Sequence, residues 1–232
     1  MSVCLFLTFR SDSGRTVGDS DIARLERLLR ATQKLAKALV HTRSDADDPY
    51  LKDESPPAMV MQLYFNDLAH LEVAASRNGP LVALTSRSEF PELSAMTVTQ
   101  QAMVARPFSV PEPTLKNGPG RPYCTYLVSY EGEAEDLNAW LDHYLEKHTA
   151  HMARFPGIRE LEVYTRLDWV SQLPWPQANF MQRNKVAFDS PAALTQALHS
   201  PVRHEMRADF KAFPPFTGPV NHFAMATRIV RP

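Results

Sequence analysis

Only two cysteines, Cys4 and Cys124, occur in 232 residues, too few for a disulfide framework. Glycine is scarce at 8, and no GxGxxG, GxxxxGK[ST] or GxSxG is present, so nucleotide-cofactor binding and elbow-type serine hydrolysis have no sequence support. HExxH and CxxC are missing as well, which removes the commonest zinc signatures. Basic excess is absent: 25 Lys and Arg face 26 Asp and Glu, so no net positive field exists to release counterions from a polyphosphate. No apolar run approaches the ~20 residues of a membrane span. The start, Met1–Arg10, lacks a basic n-region and is too short in its apolar stretch for a signal peptide. These absences lead to the expectation of a soluble, cytoplasmic protein with neither a nucleic-acid nor a membrane partner.

What is present is an ordinary globular composition, 44% apolar and 22% charged, with enough apolar surface to offset the entropy of ordering. An internal repeat organises it. Val3–Phe9 resembles Tyr123–Ser129, which sets Cys4 opposite Cys124 at an offset of 120 (124 − 4). Val40–Arg43 resembles Val163–Arg166, and Phe65–Asp67 resembles Phe188–Ser190, both at 123 (163 − 40 and 188 − 65). Val104–Pro107 resembles Ile229–Pro232 at 125 (229 − 104). The common order and small drift point to two related halves, residues 1–107 and 123–232. Between them, residues 108–122 carry Pro111, Pro113, Pro119 and Pro122 with Gly118 and Gly120, a composition that suits an extended linker.

Each half reads β-α-β-β-α-β. In the second, Tyr123–Tyr130 is a strand, and Ala134–Arg154 is helical, with Leu137, Trp140, Leu141, Tyr144, Leu145 and His148 at spacings of three and four. Phe155-Pro156-Gly157 stops that helix. Strands over Arg159–Arg166, Lys185–Phe188 and His222–Val230 follow, and Ser190-Pro191 opens a second helix as N-cap and first-turn proline. The first half repeats this with strands at Val3–Phe9, Lys37–Arg43, Met59–Phe65 and Met96–Arg106, and helices at Ser20–Leu35 and Leu68–Arg77. A βαββαβ unit is an α+β, ferredoxin-like arrangement with both helices on one face of an antiparallel sheet. Two such units in one chain can bury their remaining sheet faces against each other, a pseudo-dimeric α/β barrel with sheets inside and helices outside.

Candidate chemistry gathers in the second half. Tyr144 and His148 lie four apart on one helix face, with Trp140 one turn before and His151 three after. A histidine exchanges protons near neutral pH, and a neighbouring tyrosine OH can stabilise an oxyanion. The competing reading makes Trp140 and Tyr144 core aromatics and His148 a satisfied polar group. His222 opens the last strand with the small Ala224 and Ala226 on its face. Arg203 can hold an anionic group and His204 can serve as an acid, although a solvated helix face accounts for both. His143 and His199 read as surface residues. Cys4 and Cys124 read as inert buried thiols. The acidic stretch Asp45–Asp48, with Asp53 and Glu54, lacks EF-hand spacing and reads as a solvated loop. The Trp169 and Leu173-Pro174-Trp175-Pro176 loop either caps a pocket or packs on the other half.

The stretch Trp140–His151, followed by Phe155-Pro156-Gly157-Ile158 and then Tyr164, resembles the EthD family of the dimeric α/β-barrel superfamily. The shared pattern is an aromatic, Tyr-x-x-x-His, then Pro-Gly and a strand bearing a tyrosine. The resemblance implies the fold derived above and a small, mainly apolar ligand between helices and sheet. It also implies cofactor-free chemistry on polyketide-like aromatics in some members. The first half departs from it, since Ile22–Gln33 has neither His nor Tyr, so one site per chain is expected. The leading expectation is a cofactor-independent lyase or isomerase acting on a carbonyl or aromatic compound. His148, Tyr144 and His222 would be catalytic, and Trp140, His151, Tyr164, Arg203 and His204 would contact substrate. No cofactor and no metal is assigned, and the chain is expected as a monomer or a homodimer. Two alternatives remain: a non-catalytic binding or scaffold barrel, and a haem protein with His148, His151, His204 or His222 as axial ligand.

Overall fold

The structure is a computed structural model that describes residues 2–11, 14–50, 55–117 and 120–232. Gly118 and Pro119 of the linker, and Asp53 and Glu54 of the acidic stretch, lie outside the described residues. The first half contributes β1 (Ser2–Arg10), α1 (Asp19–Ala31), β2 (Leu35–Arg43), β3 (Met59–Phe65), α2 (Leu68–Ala74) and β4 (Thr97–Phe108). The second contributes β5 (Tyr123–Tyr130), α3 (Leu137–His143), a π-helical turn (Tyr144–His148), α4 (Thr149–Met152), β6 (Ile158–Arg166), β7 (Gln182–Phe188), α5 (Pro191–Leu198), α6 (Pro201–Phe210) and β8 (Val220–Val230). Local chemistry explains most of these limits. Asp67 and Ser190 cap α2 and α5 through side chains that accept from His70 and Ala193 N–H, which satisfies donors that the first turn leaves without partners. Leu35 belongs to β2 and not to α1, because the chain reverses at Lys34 with φ 63. The second half carries a further helix, α6, which Pro201 starts directly after α5.

The eight strands of the described residues form one closed antiparallel barrel, in the order β1-β3-β2-β8-β5-β7-β6-β4. Each half keeps the order 4-1-3-2 of a ferredoxin-like sheet, and the halves join through β2–β8 and β4–β6. Side chains alternate between the lumen and an outer face under the helices. Cys4, Phe6, Tyr64, Leu127, Tyr164, Phe223 and Met225 fill the lumen. Two further cores lie outside it, one beneath α1 and α2 and one beneath the α3–α6 group. The barrel therefore closes within one polypeptide.

The registers correct two of the repeat alignments. Val3 pairs with Phe65 and Cys124 with Phe188, so the true offset in the first strand is 121 (124 − 3). Cys4 and Cys124 are not equivalent: Cys4 faces the lumen and Cys124 the outer core. A one-residue slip exchanges the two faces of a strand. At the other end Val104 lies opposite Val3 and Ala226 opposite Cys124, an offset of 122 (226 − 104) where the sequence suggested 125. The β2 and β6 strands share a local feature: each shifts register once, between Leu35 and Lys37 and between Ile158 and Glu160.

Residues 167–176 resolve the two options for the aromatic loop. Leu173 is buried in the first-half core, with Trp169 and Trp175 packed against it. Gln100 fixes this loop by donating to the carbonyls of Leu173 and Trp175 at 3.3 and 2.6 Å. The loop thus packs on the other half.

Gly132 lies where the turn after β5 meets the segment leading into β8. A Cβ there would fall 1.3 Å from the Thr217 carbonyl oxygen, and backbone cannot yield as a side chain does. Gly132→Ala is expected to destabilise by roughly 3 kcal/mol, the upper range for overpacking. In a chain this size that lowers Tm by roughly 6–12 °C, read by calorimetry.

Candidate functional site

The helix bearing the Tyr–His stripe is not regular. Asp136 caps α3 by accepting from Ala139 N–H at 2.9 Å, and the helix then widens over Tyr144–His148, where Thr149 N–H donates to Tyr144 C=O. Such π turns are frequent at functional sites. The inward face buries Trp140, Tyr144 and His148. Trp140 stacks on Tyr144, with ring centroids 5.0 Å apart at 19°, and the Tyr144 and His148 rings are 4.9 Å apart. Phe213, between α6 and β8, packs on His148 from the other side at 4.9 Å.

Two polar side chains from distant segments fix this stripe. Asp209, at the end of α6, accepts from His148 Nδ1 at 2.7 Å and from His143 Nε2 at 2.9 Å. Asn184 of β7 donates to Tyr144 OH at 2.6 Å. Burial drives the His148 pKa down to about 4, against the pull of the Asp209 hydrogen bond and charge. The imidazole is therefore neutral at pH 7, with its Nδ1 proton on Asp209 and Nε2 unpaired among the described residues. Burial opposes ionisation of Asp209, but the hydrogen bonds from His148 and His143 outweigh it and hold its pKa below the usual carboxylate value. Burial raises the Tyr144 pKa well above the ordinary phenol value, so its OH stays protonated.

Tyr144 and His148 form one wall of a cavity of about 310 Å³ between α3, α6 and the outer face of the second-half sheet. Its walls are mainly apolar and aromatic, with Tyr126, Tyr130, Met152, Phe155 and Val186 among them; Arg203, Arg207, Lys211 and His222 supply polarity. Of the residues singled out from sequence, four meet here: Tyr144, His148, Arg203 and His222. His222 stands beside Tyr126, ring centroids 5.7 Å apart.

Four do not line the cavity. Trp140 lies behind Tyr144, fully buried. His151 turns toward Glu205, 3.4 Å away. His204 is exposed and pairs with the Tyr50 hydroxyl. Tyr164 sits inside the lumen, in contact with Phe6 and hydrogen-bonded to Glu162. The register shift after Ile158 explains this last placement. Ile158 and Tyr164, six residues apart, would share a face in a regular strand, but the extra residue puts them on opposite faces.

Two residues without a sequence signal, Asp209 and Asn184, and one with a different expectation, Asp48, shape the site. Asp209 and Asn184 lie 61 and 40 residues from the side chains they hold, so no local spacing announces them. Asp48 is not part of a solvated loop: its side chain is 8% exposed and accepts from Arg203 at 2.9 Å and from Tyr126 OH at 2.8 Å. A first-half loop thus reaches over to the second-half cavity. His143, read as surface, is also largely buried by its bond to Asp209. His199 is exposed as expected and pairs with Asp47.

The lumen holds a separate polar cluster. Lys185, fully buried, lies 3.0 Å from Glu160 and 3.1 Å from Glu162. Glu162 accepts from the hydroxyls of Tyr64 and Tyr164 at 2.6 and 2.5 Å. Farther along the lumen His41 sits between Thr227 and Gln62, each at 2.8 Å. Burial, with the nearby Lys185 charge, pushes its pKa down to about 3.

Two buried histidines with depressed pKa values fix the sign of a pH dependence. Their ordinary value is 6.5, and the folded values are about 4 and about 3. Below pH 6.5 the unfolded chain binds protons that the folded chain does not, so stability is full above that pH and declines as pH falls. The urea midpoint is expected to be lower at pH 5 than at pH 7.5 with an unchanged m-value. A flat midpoint across that window would refute the assignment of both rings as neutral.

No family model and no curated protein matches the sequence. Solved structures do. An anthrone oxidase-like protein superposes with TM-score 0.63 at 14% identity, covering 98% of this chain and 92% of that one. A mutant chlorite dismutase from Candidatus Nitrospira defluvii gives 0.51 at 12% identity over 97% and 91%. The chain has the dimeric α/β-barrel fold. An ethd family protein from Bacillus halodurans also matches, at TM-score 0.34 and 21% identity, over 43% of this chain and 96% of that one. Among the described residues, no helix of the barrel is long and apolar enough to cross a membrane.

Proposed function

We propose that this barrel catalyses a cofactor-independent proton transfer, of the lyase or isomerase type, on a small, mainly apolar carbonyl or aromatic compound bound in the second-half cavity. One observation carries the reading. A neutral, buried histidine whose Nε2 is unpaired among the described residues stands on the cavity wall, oriented from behind by a carboxylate 2.7 Å away. His148 Nε2 takes a proton from carbon next to the carbonyl. Asp209 keeps the tautomer and stabilises the imidazolium that forms, the role of an orienting acid in a triad. Tyr144, pinned by Asn184, donates to the oxygen on which charge develops. His222 returns a proton to carbon or to a departing hydroxyl, so that the net change is isomerisation or loss of water. One structural neighbour is an anthrone oxidase-like protein, and with the aromatic lining of the cavity it leads us to a fused aromatic ketone as the substrate class. The chain acts as a monomer or as a homodimer of whole barrels, since no second chain is needed to close the lumen.

Haem fits less well. His148 offers a nitrogen, but about 310 Å³ is near the lower bound for small-molecule sites, a volume suited to one to three rings and exceeded by a tetrapyrrole.

The base step can be read without knowing the natural substrate. A panel of aryl ketones in D₂O, followed by NMR, is expected to exchange its α-protons faster with the protein than without, and the increment to vanish in His148→Ala. No protein-dependent exchange, or exchange unchanged in that variant, overturns the catalytic reading in favour of a binding barrel. A Soret band in the purified protein overturns the cofactor-free part.

A further inference from the structure

We infer that the part of the lumen beside Arg183, two residues before Lys185 on β7, is a binding site for a small monovalent anion. Arg183 is the second residue of β7 and points inward, on the face opposite Asn184. It is 6% exposed. Its guanidinium lies between two rings, 4.0 Å from the Phe180 centroid and 4.6 Å from that of Phe6. No carboxylate among the described residues forms an ion pair with it, and its buried Nε has no hydrogen-bond partner. Lys185, on the same face of β7, is by contrast matched by two carboxylates. An unpaired buried charge is among the most expensive features a fold can hold, and native proteins pair such groups or bind a counterion.

The space beside it fits that role. A cavity of about 30 Å³ is bounded by Phe6, Thr8, Arg10, Arg183, Asn221 and Phe223. That is more than the ~10–15 Å³ a single water needs, and suits a halide, nitrate or formate while excluding anything drug-sized. Thr8 Oγ1 is buried there without a partner among the described residues, a second donor waiting for an acceptor. Arg10, at the mouth and over the Phe223 ring at 5.7 Å, adds positive charge on the entry side. Glu131, the carboxylate whose charge reaches Arg183 without forming an ion pair with it, accepts from Asn221 at 2.7 Å. The geometry is rigid: Gln101 holds the Phe180 backbone through two hydrogen bonds, 3.0 and 3.2 Å. Burial presses the Arg183 pKa down to about 9, still well above neutrality, so the group remains a cation there. Recognition rests on a charge-assisted donor stacked between aromatic faces, with a hydroxyl completing the shell.

The test is thermal unfolding in HEPES with ionic strength held by sodium gluconate, too large to enter. Sodium bromide, nitrate or formate should raise Tm saturably by several degrees, as a ligand selective for the folded state must, whereas hexanoate, with the same head group on a long tail, should do so less. Arg183→Met, which keeps the side-chain bulk, should abolish the anion dependence. Crystals soaked in bromide should show an anomalous peak beside Arg183. If Arg183→Met does not fold, Thr8→Val should weaken anion affinity several-fold, and the bromide peak in the unaltered protein decides. A linear, non-saturating salt response, equal shifts in wild type and variants, or no bromide beside Arg183 overturns the site. Hexanoate matching formate would instead make the occupant the head of a longer molecule and overturn the small-anion assignment.

Discussion

His148→Ala should lower turnover of any substrate accepted in the second-half cavity by roughly 10²–10⁴-fold, the usual contribution of a positioned general base. The loss should lie in kcat, because the alanine widens the cavity and removes no contact with the rim cations Arg207 and Lys211. Two companion variants separate base from scaffold. Tyr144→Phe keeps the stack on Trp140 and loses one donor, so its penalty should be smaller. Asp209→Asn keeps the shape but gives up the carboxylate behind Nδ1. It should depress kcat and move the acidic limb of the rate profile, which for the unaltered protein lies near pH 4, where His148 takes up its proton. Wild-type kcat in His148→Ala, measured by stopped-flow or NMR, would leave the cavity a binding site only.

The largest stability loss is expected in the lumen, from Lys185→Met. Lys185 is fully buried and touches Glu160, Glu162 and the Tyr64 hydroxyl. Burial alone would favour the neutral amine, yet the two carboxylates outweigh it and keep the group charged. Burial likewise resists ionisation of Glu162, but Lys185 and Lys37 overcome it and bring its pKa to about 2. Removing the lysine leaves Glu162 buried at 6% exposure with only Lys37, 3.7 Å away, to balance it. Breaking one partner out of such a pair typically costs about 3–5 kcal/mol, which is roughly 6–20 °C in Tm for a chain of this size. Adding Glu162→Gln should restore much of the loss, since it removes the stranded charge and keeps acceptors for Tyr64 and Tyr164. If the double variant is as unstable as the single one, packing and not charge sets the penalty.

How much of this was legible beforehand depended on the range of each signal. The repeat, the ferredoxin-like order and the Tyr144–His148 stripe rest on spacings within one element or on pattern recurring between halves, and they survive in the structure. Strand parity did not. In β1, Cys4 and Phe6 face the lumen while Leu5, Leu7 and Phe9 face the helices, so apolar residues occupy both faces and alternation gives no guide to register. The same blindness hid the irregularity after Ile158 and misplaced Tyr164. Partners such as Asp209, Asn184 and Asp48 come from other segments, and only the folded chain brings them to the cavity.

Closure within one polypeptide has a consequence for handling the protein. Every strand has a neighbour on both sides, β2 and β4 only because β8 and β6 complete them. Severing the chain in the 108–122 stretch would create two four-stranded open sheets, each with two bare margins of unpaired N–H and C=O groups. Such margins are templates for promiscuous strand addition. The connection is thus a safeguard against self-association during synthesis as well as a tether: the first half, once made, waits for its complement at a high local concentration, and aggregation competes only during that interval.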